Sequence, residues 1–153
     1  MKLQKATEFA LYAVLELAAD PQRQLTALDI ADKYGISAHH LAKVLRDLGR
    51  AGLVAAVRGV GGGYRFAGNA KRLTLLDVIR LFEDVGGSAD APTRSPAPDI
   101  AEGLRFVLAE IDAQTVATLR SISLATMLKL SAHRPRESAT DARPQRRTAS
   151  RVR

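Results

Sequence analysis

The sequence predicts a mainly α fold: a winged helix-turn-helix domain with a two-stranded β-wing, followed by a long dimerisation helix. Two capped amphipathic segments are separated only by Gly35 and Ile36, the short glycine-containing joint of a helix-turn-helix. Two β-prone runs, residues 53–57 and 64–67, are joined by R-G-V-G-G-G. After a loop, Leu104, Leu108, Ile111, Thr115 and Thr118 recur at steps of three and four, the spacing of an apolar stripe on one helix face.

In chain order, Phe9, Ala10, Ala13, Val14, Leu17 and Ala18 lie at helical spacing over residues 7–19, and Asp20-Pro21 ends that helix. Thr26-Ala27-Leu28-Asp29 matches a capping box, in which hydroxyl and carboxylate satisfy the amides at a helix start. Leu28, Ile30 and Ala31 are expected inward, and Gly35 stops the second helix. Ser37 then caps a third helix to Arg50, with Leu41, Val44, Leu45 and Leu48 as its buried stripe and Gly52 at its C-terminal turn. Thr74-Leu75-Leu76-Asp77 is a second capping box, expected to open a helix through Leu81, Phe82 and Val85 to Gly86-Gly87. Asp99 and Glu102 begin the long helix, whose stripe Phe106, Val107 and Leu119 widen, and Ser121 or Ser123 caps a short final one. The division expected is a DNA-binding domain over residues 1–85, with its helix-turn-helix at 27–51 and wing at 53–67. A flexible loop follows at 86–98, then dimerisation helices at 99–131 and a disordered basic tail at 132–153, which is rich in Arg, Pro, Ser and Thr.

The 153 residues suffice for one domain with a real core. No apolar run is long enough to span a membrane, and the opening M-K-L-Q-K-A-T-E-F turns polar before a signal peptide could form. The expected location is therefore cytoplasmic. The chain has no cysteine and only three histidines, which excludes disulfides, thiolate metal ligands and cysteine nucleophiles. No metal or other cofactor is expected. The net charge of +7 favours a polyanionic partner. It is segregated: residues 22–72 hold nine Lys/Arg against three Asp, residues 73–131 hold five against eight acids, and the tail holds seven Arg against two acids.

The third helix turns His39, His40, Lys43, Arg46, Asp47 and Arg50 away from its apolar stripe. The first three lie in the half that reaches base edges when such a helix enters a major groove. Arg46 and Arg50 are placed for backbone phosphates. Arg58 and Arg65 flank the glycine turn of the wing, where an arginine suits the negative potential of a narrow minor groove. Gly61, Gly62 and Gly63 free the backbone for close approach. A phosphate cradle is the competing reading, but V-G-G-G-Y lacks the nucleotide-binding pattern and a strand follows it. Adjacent His39 and His40 diverge by about 100° on a helix, which argues against one shared metal ion. The stripe on the long helix has little of its own chain to meet, so a second copy is its expected partner, setting two recognition helices about one DNA turn apart. The arginine-rich tail either adds sequence-independent DNA affinity or is a solvating appendage.

The stretch G-I-S-A-H-H-L-A-K-V-L-R-D-L-G-R-A-G-L-V-A-A-V-R-G-V-G-G-G-Y, with the opening M-K-L-Q and the later L-T-L-L-D-V-I-R-L-F-E, resembles the Rrf-two family of winged helix-turn-helix transcriptional regulators over roughly residues 1–131. The resemblance implies a homodimeric transcription factor, usually a repressor, on a near-palindromic promoter site in double-stranded DNA. It also implies contacts from Ser37, His39, His40 and Lys43, from Arg58, and from the backbone at Gly61, Gly62 and Gly63. Redox- and nitric-oxide-sensing members carry three cysteines in the loop before the dimerisation helix. Here that loop offers Ser88, Ser95 and alanines. Glu8 stands where some members place a carboxylate ligand, and Tyr12 where a subgroup has a ligating histidine, so the sensor chemistry does not carry over. Three readings stay open: constitutive DNA binding, sensing of an unknown small-molecule or protein effector, and a chain whose cysteines have been replaced. The alternative outside this class is a protein-interaction adaptor or non-specific DNA binder that kept the fold. No nucleophile–base pair or carboxylate dyad marks an enzyme.

Overall fold

The computed structural model describes residues 2–86 and 98–133. Eight elements follow in order: α1 (Lys5–Ala19), α2 (Ala27–Tyr34), α3 (Ala38–Arg50), β1 (Val54–Val57), β2 (Gly63–Phe66), α4 (Leu75–Ile79), α5 (Pro98–Ser121) and α6 (Leu124–His133). The architecture is mainly α with a two-stranded antiparallel hairpin, as expected. Among the described residues no helix is long and apolar enough to cross a membrane.

Helix α1 is the hub. Its small residues Ala10 and Ala13 are fully buried beside Val14 and Leu17, so neighbouring elements can approach its backbone closely. It packs against α3, α4, β2 and α6. Ile30 and Ala31 from α2, Leu41, Leu45 and Leu48 from α3, Val54 and Phe66 from the hairpin, and Val78 from α4 complete one core.

Both capping boxes form. The Thr26 hydroxyl accepts from the Asp29 amide at 3.1 Å while the Asp29 carboxylate accepts from the Thr26 amide at 2.8 Å. Thr74 and Asp77 repeat the exchange at 3.3 and 2.8 Å. Gly35 closes α2 in the left-handed region at φ 63°. In the hairpin Val54 pairs with Phe66 and Val57 with Gly63. The Leu25 and Tyr64 backbones exchange hydrogen bonds of 3.0 and 2.8 Å, tying the strand to the chain before α2.

Three details differ from the sequence expectation. Leu28 is 58% exposed rather than inward, because an eight-residue helix anchored by Ile30 and Ala31 leaves its first turn outside the core. Helix α4 stops at Ile79, and the Leu81 and Phe82 amides turn back to Val78 and Ile79 at 3.2 and 3.0 Å. Ser37 is the N-cap of α3, yet its side chain makes no capping bond.

Helix α6 also serves the core. Leu124 is fully buried within it, and the Leu124 and Ala125 amides donate to Leu73 and Ala70, each at 2.8 Å. The Ser123 hydroxyl caps its first turn, accepting from the Thr126 amide at 3.1 Å. Of the loop expected at 86–98 only its two end residues are described. The tail expected at 132–153 begins later than that, since Ala132 and His133 belong to α6, and from 134 onward it lies outside the described residues.

Candidate nucleic-acid interface

The amphipathic pattern of α3 separates its side chains into two faces. At about 100° per residue, His39, Lys43, Arg46 and Arg50 fall within an arc of about 60°, opposite Leu41, Leu45 and Leu48. All four of these polar residues are exposed, while the three leucines are fully buried. The result is a stripe of three fixed cations and one imidazole on a helix held rigidly from behind. Arg50 pairs with Asp47 at 3.5 Å; among the described residues Lys43 and Arg46 make no ion pair.

His40 sits apart from this stripe, on the shoulder of α3 beside Asp47. Its ring centroid lies 6.4 Å from that of His39, with the planes tilted by 43°. The adjacent pair thus diverges as helix geometry requires. Ser37 is exposed at the head of the helix with its hydroxyl unused in capping.

The hairpin is joined firmly to the end of α3. The Leu53 amide donates to Leu48 at 3.0 Å, and the Ala67 amide donates to Leu53 at the same distance. Arg58 follows β1, and Arg65 lies within β2 opposite Ala55, both exposed. The apex is Val60, fully solvent-exposed, in a turn closed by the Gly62 amide donating to Gly59 at 3.0 Å. An apolar residue therefore occupies the tip, with the arginines along the sides. Val60 escaped sequence reading because a lone valine between glycines carries no periodic signal.

The three glycines have distinct reasons for being glycine. A Cβ on Gly62 would collide with the Val57 carbonyl oxygen, and one on Gly63 would stand 2.6 Å from the Leu25 carbonyl oxygen. Both demands come from inside the fold. Gly61 is different: open space surrounds it, and its φ of 74° is what excludes a side chain.

A further cluster braces α2 against α1. Tyr12 and Tyr34 stack with centroids 5.0 Å apart and planes within 4°. The Tyr34 hydroxyl donates to Glu16 at 2.7 Å, and Lys33 donates to the same carboxylate at 2.6 Å. Burial opposes ionisation of Glu16, but the Lys33 and Tyr34 hydrogen bonds and the Lys33 and Arg23 charges outweigh it and hold its carboxyl below its ordinary value. Burial first, and then the same carboxylate, pushes the Tyr34 phenol up. These contacts join separate elements, so no local pattern announced them.

The sequence matches the model of the Rrf2 family, described as an iron-dependent transcriptional regulator, over residues 3–130. It is 57% identical over 130 residues to an HTH-type transcriptional regulator, BadM, of Rhodopseudomonas palustris, covering 85% of this chain and 83% of that protein. Among solved structures it resembles CymR, the global cysteine regulator of B. subtilis, with TM-score 0.73 and 23% identity over 85% of this chain and 98% of that one. IscR of T. potens is similar with TM-score 0.63 and 27% identity, over 88% and 93% of the two chains. The iron in the family description finds no fitting donor set among the described residues. The chain supplies no thiolate, and among the described residues no three His, Asp or Glu side chains are grouped to hold a metal ion. Glu8 is engaged by Lys5 at 3.3 Å.

Proposed function

The chain belongs to the Rrf2 family of transcriptional regulators, and from that premise we propose that it is a homodimeric repressor reading a near-palindromic promoter site. The observation that carries this reading is the exposed stripe on α3, three cations and His39 backed by a leucine core. In the proposed complex the N-terminal half of α3 enters the major groove, where His39, His40 and Lys43 donate to purine acceptors. Ser37, Arg46 and Arg50 contact phosphates and set the register; Arg50 exchanges Asp47 for a phosphate oxygen to do so. Arg58 and Arg65 flank a minor groove, with the backbone at Gly61, Gly62 and Gly63 close to the duplex.

The exposed stripe of α5 supports the dimer. Leu104, Leu108 and Ile111 are 58, 46 and 53% exposed, and apolar surface of this extent on one helix marks an interaction face. Thr115 and Thr118 continue the stripe, each hydroxyl satisfied by its own helix at 2.9 Å, so they enter an apolar contact at little cost. The domain division remains part of this proposal, as does a role for the basic tail. Acting by occupancy of DNA, the chain would be a cytoplasmic protein and not an enzyme.

Selection of bound fragments from genomic DNA supplies the test site. Lys43→Ala and Arg58→Ala should weaken binding to the selected duplex by about 1–3 kcal/mol each while affecting random duplex far less. Equal, salt-sensitive losses on every sequence would instead mark a non-specific binder or an adaptor.

A further inference from the structure

A cavity of about 420 Å³ opens between the start of α1, the shoulder of α3 and the turn after α4. The two tight turns after Ile79 bring Leu81 and Phe82 into its lining. Its walls are apolar, from Phe9, Val44 and Phe82. Lys5, His40 and Lys43 also line it, together with one acid, Asp47, which holds a surface pair to Arg50 at 3.5 Å, so the two fixed ammonium groups outnumber the carboxylate. This size is that of a small-molecule site, and the contents are those of a site for an apolar body bearing one acidic group.

We propose that this cavity binds a small apolar anion, a carboxylate or sulfonate on a hydrophobic frame, and that the ligand weakens DNA binding. The second half rests on the proposed reading of α3, because His40 and Lys43 belong both to the cavity and to the DNA-facing set. One ammonium group directed at a ligand anion is withdrawn from a base or phosphate. By linkage the duplex must then weaken the ligand by the same factor. Lys5 belongs to the cavity alone, exposed and held only by a surface pair to Glu8, an interaction worth little.

The probes are 1-anilinonaphthalene-8-sulfonate and its neutral counterpart N-phenyl-1-naphthylamine, titrated by fluorescence into the full chain. The sulfonate should saturate at one site per chain. Lys5→Met and Lys43→Met should each weaken it by about fivefold while leaving the neutral probe unchanged. The selected duplex should displace the sulfonate from wild type, and the sulfonate should raise the apparent Kd for that duplex. Lys5→Met should keep its DNA affinity and lose part of this antagonism. Sulfonate binding that ignores Lys5→Met, or a neutral probe bound as tightly as the charged one, would overturn the anion site. Sulfonate and duplex bound together without mutual effect would overturn the coupling. If Lys43→Ala left DNA binding intact, the reading of α3 would fail separately, since the titrations without DNA still report on the cavity.

Discussion

Thr7 illustrates how a single residue can limit stability. Its hydroxyl is fully buried with no hydrogen-bond partner among the described residues, and an unsatisfied buried polar group costs about 1–3 kcal/mol. Thr7→Val keeps the shape and removes the hydroxyl. It should stabilise the chain by about 1 kcal/mol, raising the thermal midpoint by about 3 °C; a lower midpoint would mean that the hydroxyl has a partner. Glu16 makes the opposite case. Its folded pKa lies below its ordinary 4.5, so it contributes stability that is present above the unfolded value and lost as pH falls through the depressed one. Denaturant titrations of Glu16→Gln should therefore show lower stability at neutral pH and a shallower acid limb. The two proteins should converge once Glu16 is protonated in the folded state, and parallel curves throughout would refute the assignment.

At the level of elements, the hairpin owes its shape to interior contacts. Gly63→Ala must push against the Leu25 backbone, whereas Gly61→Ala meets open space and pays only for its positive φ. Gly63→Ala should therefore cost more, about 2–3 kcal/mol against about 1 kcal/mol, in paired urea denaturations. Equal costs would show that Leu25 and Tyr64 are not held together as described. The same level explains what the sequence made legible. Capping boxes and the apolar stripe of α3 are local codes, and both were readable from residue type and spacing. The early end of α4 was not, because Leu81, Phe82 and Val85 continue the apolar periodicity past Ile79, where the backbone turns instead. Likewise the place of Leu124 in the core depends on a return of the chain to residues 70–75, which no window of sequence contains.

For the whole molecule, the cations of the candidate site were legible because a helix segregates faces by spacing alone. The cavity beside them was not, since it is assembled from three elements distant in sequence. The proposed regulator also requires two copies. Leu104→Glu with Ile111→Glu places charges on an exposed face and should leave the fold intact while abolishing the proposed dimer, read by light scattering and circular dichroism. A variant that stayed dimeric would move the interface elsewhere. The most direct measurement is a hydroxyl-radical footprint on the selected genomic duplex, with the bound stoichiometry determined in parallel. Two chains per site are predicted, with protections symmetric about one centre and half-sites about one helical turn apart. Protection should be lost in the doubly charged α5 variant. A single chain bound to an unsymmetrical patch, or protection spread evenly over any duplex offered, would contradict the account.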